Sequence, residues 1–505
     1  MEKNKISVDA LMSQSGVSFG TSGARGLVSA MTDKVCWVYT RAFMQYVLKK
    51  ASKTNTLAIG GDLRNSTARI MAACAHAAQH GGWTVINCGR LPSPALALYA
   101  TEKGIPSVMV TGSHIPEDRN GIKFNMAQGE ITKDDEAGIR SQVVEIPAGI
   151  IDVLGGLTKR HVPPPVKTRP LRNYAERYIN FFGIGSLHGL RIGLYEHSTV
   201  GRDIAHEVLA GLGAKVTPFN RSELFVPVDT EAIRKVDVEL ARRSCFKGQF
   251  DAIVSMDGDG DRPLLSDERG TWIRGDVLGI LAAKALGITR LAVPVSCNTA
   301  VELSKSFEKV ERTRIGSPYV IEAMSKLAKV TGKNKNIVKV AGYEANGGFL
   351  LQSSLEEEGQ TLSPLPTRDA LLPLIAVLRW AHHYKVPVSA LLGTLPPRFT
   401  SSNRLKEFPT ELGQARVAAF GKGNKASIKA RAKKWFPWCG ALTDVEKTDG
   451  LRMTFDSGDI VHLRPSGNAP ELRCYCESGA QDKVEELTRK CLEAMNPWRD
   501  EAVAI

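Results

Sequence analysis

The sequence predicts a multidomain α/β protein, and three observations carry that reading. Strand-length apolar runs alternate with helical segments along most of the chain. At 505 residues there is room for three or four domains, each able to bury its own core. Four times, an apolar strand stops and a polar, glycine-rich loop follows. Such loops leave a sheet at its carboxyl edge, where open α/β sheets bind ligands.

In order, the first unit opens with Phe19-Gly-Thr-Ser-Gly-Ala-Arg-Gly26, a glycine-rich turn. Its backbone N–H groups can form an anion nest, and Arg25 adds a fixed charge. A strand at 56–59, the loop Gly60-Gly-Asp-Leu-Arg-Asn-Ser66 and an alanine-rich helix to about residue 80 come next. A strand at 83–87, Leu91-Pro-Ser-Pro94 and a helix then lead to the run Val108-Met-Val110, which ends in Thr111-Gly-Ser-His114. Arg160-His-Val-Pro-Pro-Pro165 is a stiff connector and sets the first boundary.

The second unit has strands at 191–195 and 215–218 around a turn at 197–201 and a helix to 212, and a third strand at 251–256 running into Asp257-Gly-Asp-Gly-Asp-Arg262. The third has helices at 276–286 and 299–309, a strand at 291–295, and a strand at 337–340 running into Ala341-Gly-Tyr-Glu-Ala-Asn-Gly-Gly348. A helix from 369 follows. In the last unit a strand at 460–463 runs into Arg464-Pro-Ser-Gly-Asn-Ala-Pro470, and another strand spans 472–477. The units are placed at 1–165, 166–275, 276–395 and 396–505.

Composition narrows the class. Hydrophobic content of 43% and charged content of 24% are those of an ordinary globular protein. No apolar run approaches the ~20 residues that span a bilayer. The longest, at 371–378, is bracketed by Arg368-Asp369 and Arg379 and reads as a buried helix, so no membrane is expected. The N-terminus lacks an apolar signal core, and the nine cysteines show no paired metal spacing. Cys474 and Cys476 alternate along a strand and share one face, which reads as packing rather than zinc chemistry. A reducing cytoplasm is the expected compartment.

Part of the net charge of +13 lies between Arg398 and Lys434, where only Phe399, Phe408 and Phe420 are aromatic. A solvated helix face or attraction of small anions accounts for it, and no nucleic-acid partner is expected.

The loops carry the chemistry. Ser113 stands where a strand ends, with His114 beside it and Lys123 ten positions on. Asp257, Asp259 and Asp261 alternate with glycines, and three carboxylates so close repel unless a cation neutralises them. All-oxygen ligation suits a hard divalent ion. An EF-hand is excluded, because Arg262 stands where that loop needs glycine and a strand enters it. Arg464, Ser466, Gly467 and Asn468 combine a guanidinium fork, a hydroxyl and free amides, a phosphate-binding set. Glu344 and Asn346 offer an acceptor and a mixed donor/acceptor suited to sugar hydroxyls.

The stretches FGTSGARG, TGSHIPEDRNGIKF, DGDGDR, GYEANGG and RPSGNAPELR resemble, in order, those of the α-D-phosphohexomutase superfamily, most closely its bacterial phosphomannomutase/phosphoglucomutase members. The resemblance implies four domains around a central cleft: three similar α/β units with mixed sheets and a smaller α+β C-terminal domain. It also implies a phosphoserine at Ser113, with Mg²⁺ held by Asp257, Asp259, Asp261 and a phosphoserine oxygen. Arg25, His114, Lys123 and Arg262 match positions for charge stabilisation and acid/base work. Glu344 and Asn346 match the sugar loop, Gly316 a further sugar-contacting loop, and Arg464, Ser466, Gly467 and Asn468 the grip on the phosphate that does not react. The chain departs from the family at Asn346 (commonly Ser), Gly348 (a histidine in some members) and Asn468 (commonly Thr), which bears on sugar preference and on the identity of the base.

The expected reaction interconverts mannose 6-phosphate and mannose 1-phosphate through a hexose 1,6-bisphosphate, with Lys123, crowded by cations, expected to have a lowered pKa and accept the hydroxyl proton. A phosphoglucomutase or dual-specificity enzyme is the alternative within the class. A hydrolase, or an inactive phosphosugar-binding relative, is the alternative outside it. A phosphosugar is the expected partner and GDP-mannose synthesis the expected destination, from a monomer or homodimer.

Overall fold

Three sheets share the arrangement of four successive strands. The computed structural model describes residues 4–20, 23–50, 54–329, 338–467 and 470–500. In the first sheet Thr56–Gly61 lies between Thr84–Arg90 and Ser107–Val110, parallel to both. Arg119–Met126 then pairs antiparallel with Ser107–Val110, and Gly23–Leu27 pairs antiparallel with Arg119–Met126. The second repeats the order with Arg191–His197 between Lys215–Arg221 and Ala252–Met256, followed by antiparallel Pro263–Ser266 and Trp272–Ile273. In the third, Arg290–Pro294 lies between Lys309–Thr313 and Val340–Tyr343, followed by Phe349–Leu351 and Leu365–Asp369.

This order places the functional loops. Counted from Thr56–Gly61 in the first sheet, whose strand Gly23–Leu27 comes earlier in the chain, the third strand of each sheet is parallel to the first and the fourth returns antiparallel along it. A short reversal of that kind keeps its residues at the carboxyl edge, whereas another parallel strand would need a long crossover. The Ser113, Asp257–Asp261 and Glu344–Gly348 loops all occupy this reversal. The strands that deliver them, Ser107–Val110, Ala252–Met256 and Val340–Tyr343, are buried at every position, as strands covered on both faces are.

The C-terminal unit differs. Its five-stranded antiparallel sheet runs Phe399–Lys406, Glu471–Ser478, Ile460–Pro465, Leu451–Phe455, Leu442–Glu446. Helices Thr410–Phe420, Lys425–Trp435 and Gln481–Met495 accompany it. Lys422, Lys425, Lys429, Lys433 and Lys434 are exposed there, the solvated face expected of the basic stretch.

One apolar core runs continuously from Ala58 and Met109 through Tyr174 and Leu194 to Leu281 and Leu374, so the three α/β units pack as one mass. Each large apolar side chain buried there contributes roughly 1.5–3 kcal/mol. At its centre Asp369 accepts hydrogen bonds from Tyr174 and Tyr178 and from the backbone N–H of Leu371. That carboxylate opens the helix Leu371–His383, whose residues 371–378 are buried as expected. Separate clusters fill the far side of the first unit, around Trp37, Phe43 and Phe124, and the C-terminal unit, around Phe408, Phe420 and Trp498.

Three expectations are corrected. Arg25 lies on the strand Gly23–Leu27 rather than in a turn, with Thr21 and Ser22 outside the described residues. The helix expected at 299–309 is only Ala300–Leu303, because Lys305 turns into the left-handed region (φ 52°) and the chain leaves as the strand Lys309–Thr313. The strand expected at 337–340 starts at Val340, and Ile337 lies outside the described residues. Among the described residues no helix is long and apolar enough to cross a membrane.

Candidate active site

Ser113 follows the buried strand Ser107–Val110 and is itself in the left-handed region, φ 54°. Backbone strain at a non-glycine residue persists only where the surroundings hold it. Here the Ser113 N–H donates to Thr111 Oγ1 at 2.7 Å, and Thr111 donates to Asp62 Oδ2 at 2.7 Å. Arg64, fully buried, donates to the carbonyls of Ser113 (2.9 Å), Ile115 (2.5 Å), Pro116 (2.8 Å) and Arg119 (3.0 Å). One guanidinium thus shapes the whole serine loop.

The loop meets the second unit directly. Ser113 Oγ donates to Asp257 Oδ2 at 2.6 Å, although the two are 144 residues apart. A Cβ on Gly258 would lie 2.5 Å from the Ser113 carbonyl, so only glycine allows this approach. Asp257, Asp259 and Asp261 are buried, and one carboxylate oxygen from each lies within 4.8 Å of the other two. The Oδ1 atoms of Asp259 and Asp261 accept no hydrogen bond despite burial. Three hard oxygen donors, two of them with unpartnered oxygens, fit a hard divalent cation such as Mg²⁺.

Positive charge surrounds the carboxylates. Lys123 Nζ donates to Asp259 Oδ2 at 2.6 Å and Asp261 Oδ2 at 2.8 Å. Burial pulls its pKa down, but these two carboxylates outweigh it and raise it above the ordinary lysine value. The expected lowering of the Lys123 pKa is therefore corrected: its two carboxylate partners favour the charged form. For Asp259 burial opposes ionisation, yet Lys123 and the Ser93 hydroxyl (2.6 Å) hold it well below the usual carboxylate range. Asp257 moves the other way, raised by burial and by its two carboxylate neighbours. Arg25 is lowered to about 10 by burial and by Arg262.

His114 stands beside the serine hydroxyl. Its Nδ1 lies 3.2 Å from Ser113 Oγ and accepts from Arg262 Nη1 at 2.8 Å. Burial, then Arg262 and Arg25, hold its pKa well below 6.5, so the ring is neutral at physiological pH.

The third and fourth units add the remaining loops. Glu344 and Asn346 are buried, and Asn346 Oδ1 closes its own loop by accepting from the Gly348 N–H at 2.9 Å. That leaves the Asn346 amide N–H₂ as the group free to read a hydroxyl. The Gly316 loop is held from two sides: Ile315 N–H donates to Asp449 Oδ2 at 3.0 Å, and Ser317 donates to Glu130 of the first unit at 2.6 Å. Arg464 also donates to Asp449 Oδ2, at 2.9 Å. Ser466 is buried, a Cβ on Gly467 would meet nothing within 4 Å, and Asn468 lies outside the described residues.

Three residues of the site escape a reading by loops alone. Arg64 stands in the polar loop after the strand Thr56–Gly61, the same strand-then-loop device, and that position was the available signal. Ser93 reaches Asp259 from a helix start with no motif of its own. Arg368 donates to Asp261 Oδ2 at 3.1 Å and to Glu344 Oε2 at 3.1 Å, tying the metal loop to the sugar loop. Its side chain fills the space over Gly348, where a Cβ would come within 2.6 Å of it. A lone Thr-Arg-Asp before a long apolar helix was its only sign in the sequence.

Comparisons with known proteins agree with this architecture. Family models described as phosphoglucomutase/phosphomannomutase alpha/beta/alpha domain I, alpha/beta/alpha domain III and C-terminal domain match residues 16–148, 274–399 and 412–494. A phosphomannomutase of Sinorhizobium fredii is 42% identical over 95% of this chain and 99% of its own. One of Salmonella muenchen is 42% identical over 97% and 98%. The crystal structure of a phosphoglucomutase/phosphomannomutase family protein from Burkholderia thailandensis superposes with a TM-score of 0.71 at 17% identity, covering 96% of this chain and 98% of that one. The order of the loops, the junction of Ser113 with the aspartate loop and these matches lead to one conclusion: the chain belongs to the phosphoglucomutase/phosphomannomutase family.

Proposed function

We propose that this protein is a phosphomannomutase, interconverting mannose 6-phosphate and mannose 1-phosphate through a phosphoserine at Ser113 and a hexose 1,6-bisphosphate. One observation carries the reading: the Ser113 hydroxyl sits 2.6 Å from Asp257 within a buried set of three carboxylates, ringed by Arg25, Lys123, Arg262 and Arg368. Phosphoryl transfer needs in-line positioning and compensation of charge on the phosphoryl oxygens more than covalent chemistry.

Asp257, Asp259 and Asp261 would hold Mg²⁺, with an oxygen of the phosphoserine completing the site. The ion supplies charge stabilisation to the transferring phosphoryl group. Arg25 and Arg262 add fixed positive charge, and Lys123 neutralises Asp259 and Asp261. His114, whose Nδ1 lies 3.2 Å from Ser113 Oγ and accepts from Arg262, would hold that guanidinium beside the serine. Glu344 and the Asn346 amide would read ring hydroxyls, while Arg464, Ser466 and Gly467 would hold the phosphate that is not reacting. The bisphosphate then turns end for end and returns its other phosphoryl group to Ser113. Burial of the serine junction keeps water from the phosphoserine.

The 42% identity to two phosphomannomutases over nearly the whole chain supports mannose over glucose as the sugar. Side-by-side initial rates on mannose 1-phosphate and glucose 1-phosphate test the choice. A higher kcat/KM for mannose is expected; a preference for glucose would make the protein a phosphoglucomutase, and release of free phosphate would make it a hydrolase.

A further inference from the structure

Away from the active site, one group of soft donors gathers in the C-terminal unit. Cys474 and Cys476 lie on one face of the strand Glu471–Ser478, and Cys491 comes from the helix Gln481–Met495 packed against it. The three sulfur atoms all lie within 4.8 Å of one another. Cys439, on the turn Pro437–Cys439, is a fourth buried thiol that interacts with Cys491 but lies outside that group of three. All four are free thiols, none more than 2% exposed.

Apolar packing does not require this convergence. Same-face neighbours on a strand stand roughly 6.6 Å apart along it. Yet the Cys474 and Cys476 sulfurs are 3.7 Å apart, so the two side chains lean toward a common point. Zinc–sulfur bonds of about 2.3 Å at tetrahedral angles put sulfur atoms about 3.8 Å apart. Sulfur donors at this spacing suit a thiophilic cation. The spacing Cys-x-Cys reads as packing in the sequence because the other two thiols come from separate segments.

We propose that Cys439, Cys474, Cys476 and Cys491 form a structural zinc site in the C-terminal unit. Binding exchanges four S–H bonds for four Zn–S bonds, and the four protons pass to solvent. The strand bearing Cys474 and Cys476 forms one hairpin with the strand Ile460–Pro465, which carries Arg464, so the ion ties the phosphate-gripping hairpin to the helix behind it.

Elemental analysis of the full-length protein, purified with reductant and without chelator, should find about one zinc per chain. Replacement by Co²⁺ should give sulfur-to-cobalt charge-transfer absorption, which the Asp257–Asp261 carboxylates cannot produce. Cys474→Ser and Cys491→Ser should lose zinc and the band, while Cys88→Ser, at a buried thiol of the first unit, keeps both. If the cluster variants do not fold, chelator extraction of the wild-type chain reads the same point through a lowered melting temperature that added zinc restores. A folded chain that holds no zinc and shows no thiolate band with Co²⁺ overturns the site, as does undiminished zinc in folded Cys491→Ser.

Discussion

The junction of Ser113 with the aspartate loop and the Arg464 loop of the C-terminal unit are both polar loops at strand ends, and they are built in opposite ways. At the junction Ser113 is 1% exposed and Asp257 and Asp259 are fully buried, and their partners come from distant parts of the chain. Arg464 is only partly buried, and Asp449, fifteen residues away, holds its guanidinium. Burial strengthens each charge pair and fixes the groups before reaction, as phosphoryl transfer demands. Partial exposure lets an anion enter, leave and be regripped. The difference separates a preorganised chemical centre from a compliant anchor.

Five experiments break or sharpen that contrast. Ser113→Ala removes the phosphoryl carrier: mutase turnover should fall by a factor on the order of 10⁴ or more, and intact mass should lose the phosphate increment. Retained mutase activity would end the proposed function. Asp259→Asn should lower kcat by roughly 10²–10³, with the Mg²⁺ dependence of the rate lost, because one charged partner of the transferring group is gone. Unchanged rates across a Mg²⁺ titration would remove the metal assignment.

Arg368→Met tests whether the centre includes a residue that no loop motif announced. Leaving Asp261 and Glu344 buried without it should cost kcat/KM about a hundredfold, from roughly 3 kcal/mol of lost charge-assisted hydrogen bonding. Arg368→Lys should recover only part of this, since an ammonium lacks the fork that reaches both carboxylates. At the compliant anchor, Arg464→Ala should raise KM for the sugar phosphate about tenfold with little change in kcat, the signature of uniform binding. A kcat loss as large as that of Arg368→Met would place Arg464 in the chemical centre instead.

The smallest effect concerns stability. Burial, the main cause, lowers both His197 and His462 to about 4. The unfolded chain, with histidines near 6.5, takes up protons that the folded chain refuses. Stability contributed by these neutral rings is therefore complete above about pH 6.5 and declines as pH falls toward about 4. The melting temperature should drop across that window, and His462→Gln should flatten the share belonging to the C-terminal unit. A pH-independent melting temperature there would contradict their burial as neutral rings.

Much of the site is legible in the sequence because a strand that ends in glycines and polar residues must place them at a sheet edge. Ser113, Asp257–Asp261 and Glu344 follow that rule, and the structure puts each where the rule implies. Lys123 was legible as a member of the site but not in its ionisation. Its ten-residue spacing from Ser113 says nothing of Asp259 and Asp261, which contact it from the second unit. Arg368 was invisible because it lies on no loop of that kind, and the gap it fills over Gly348 exists only in three dimensions.

By itself, then, the sequence determined the α/β alternation, the strand-end loops and the residue types that phosphate chemistry needs, since these depend on local pattern and side-chain chemistry. Only the tertiary structure decided which groups meet: Lys123 between two aspartates, Arg262 on His114, Arg368 across two loops, and thiols gathered from three segments. Electrostatic compensation and ligation depend on distances of a few ångströms in space, and separation along the chain does not encode them.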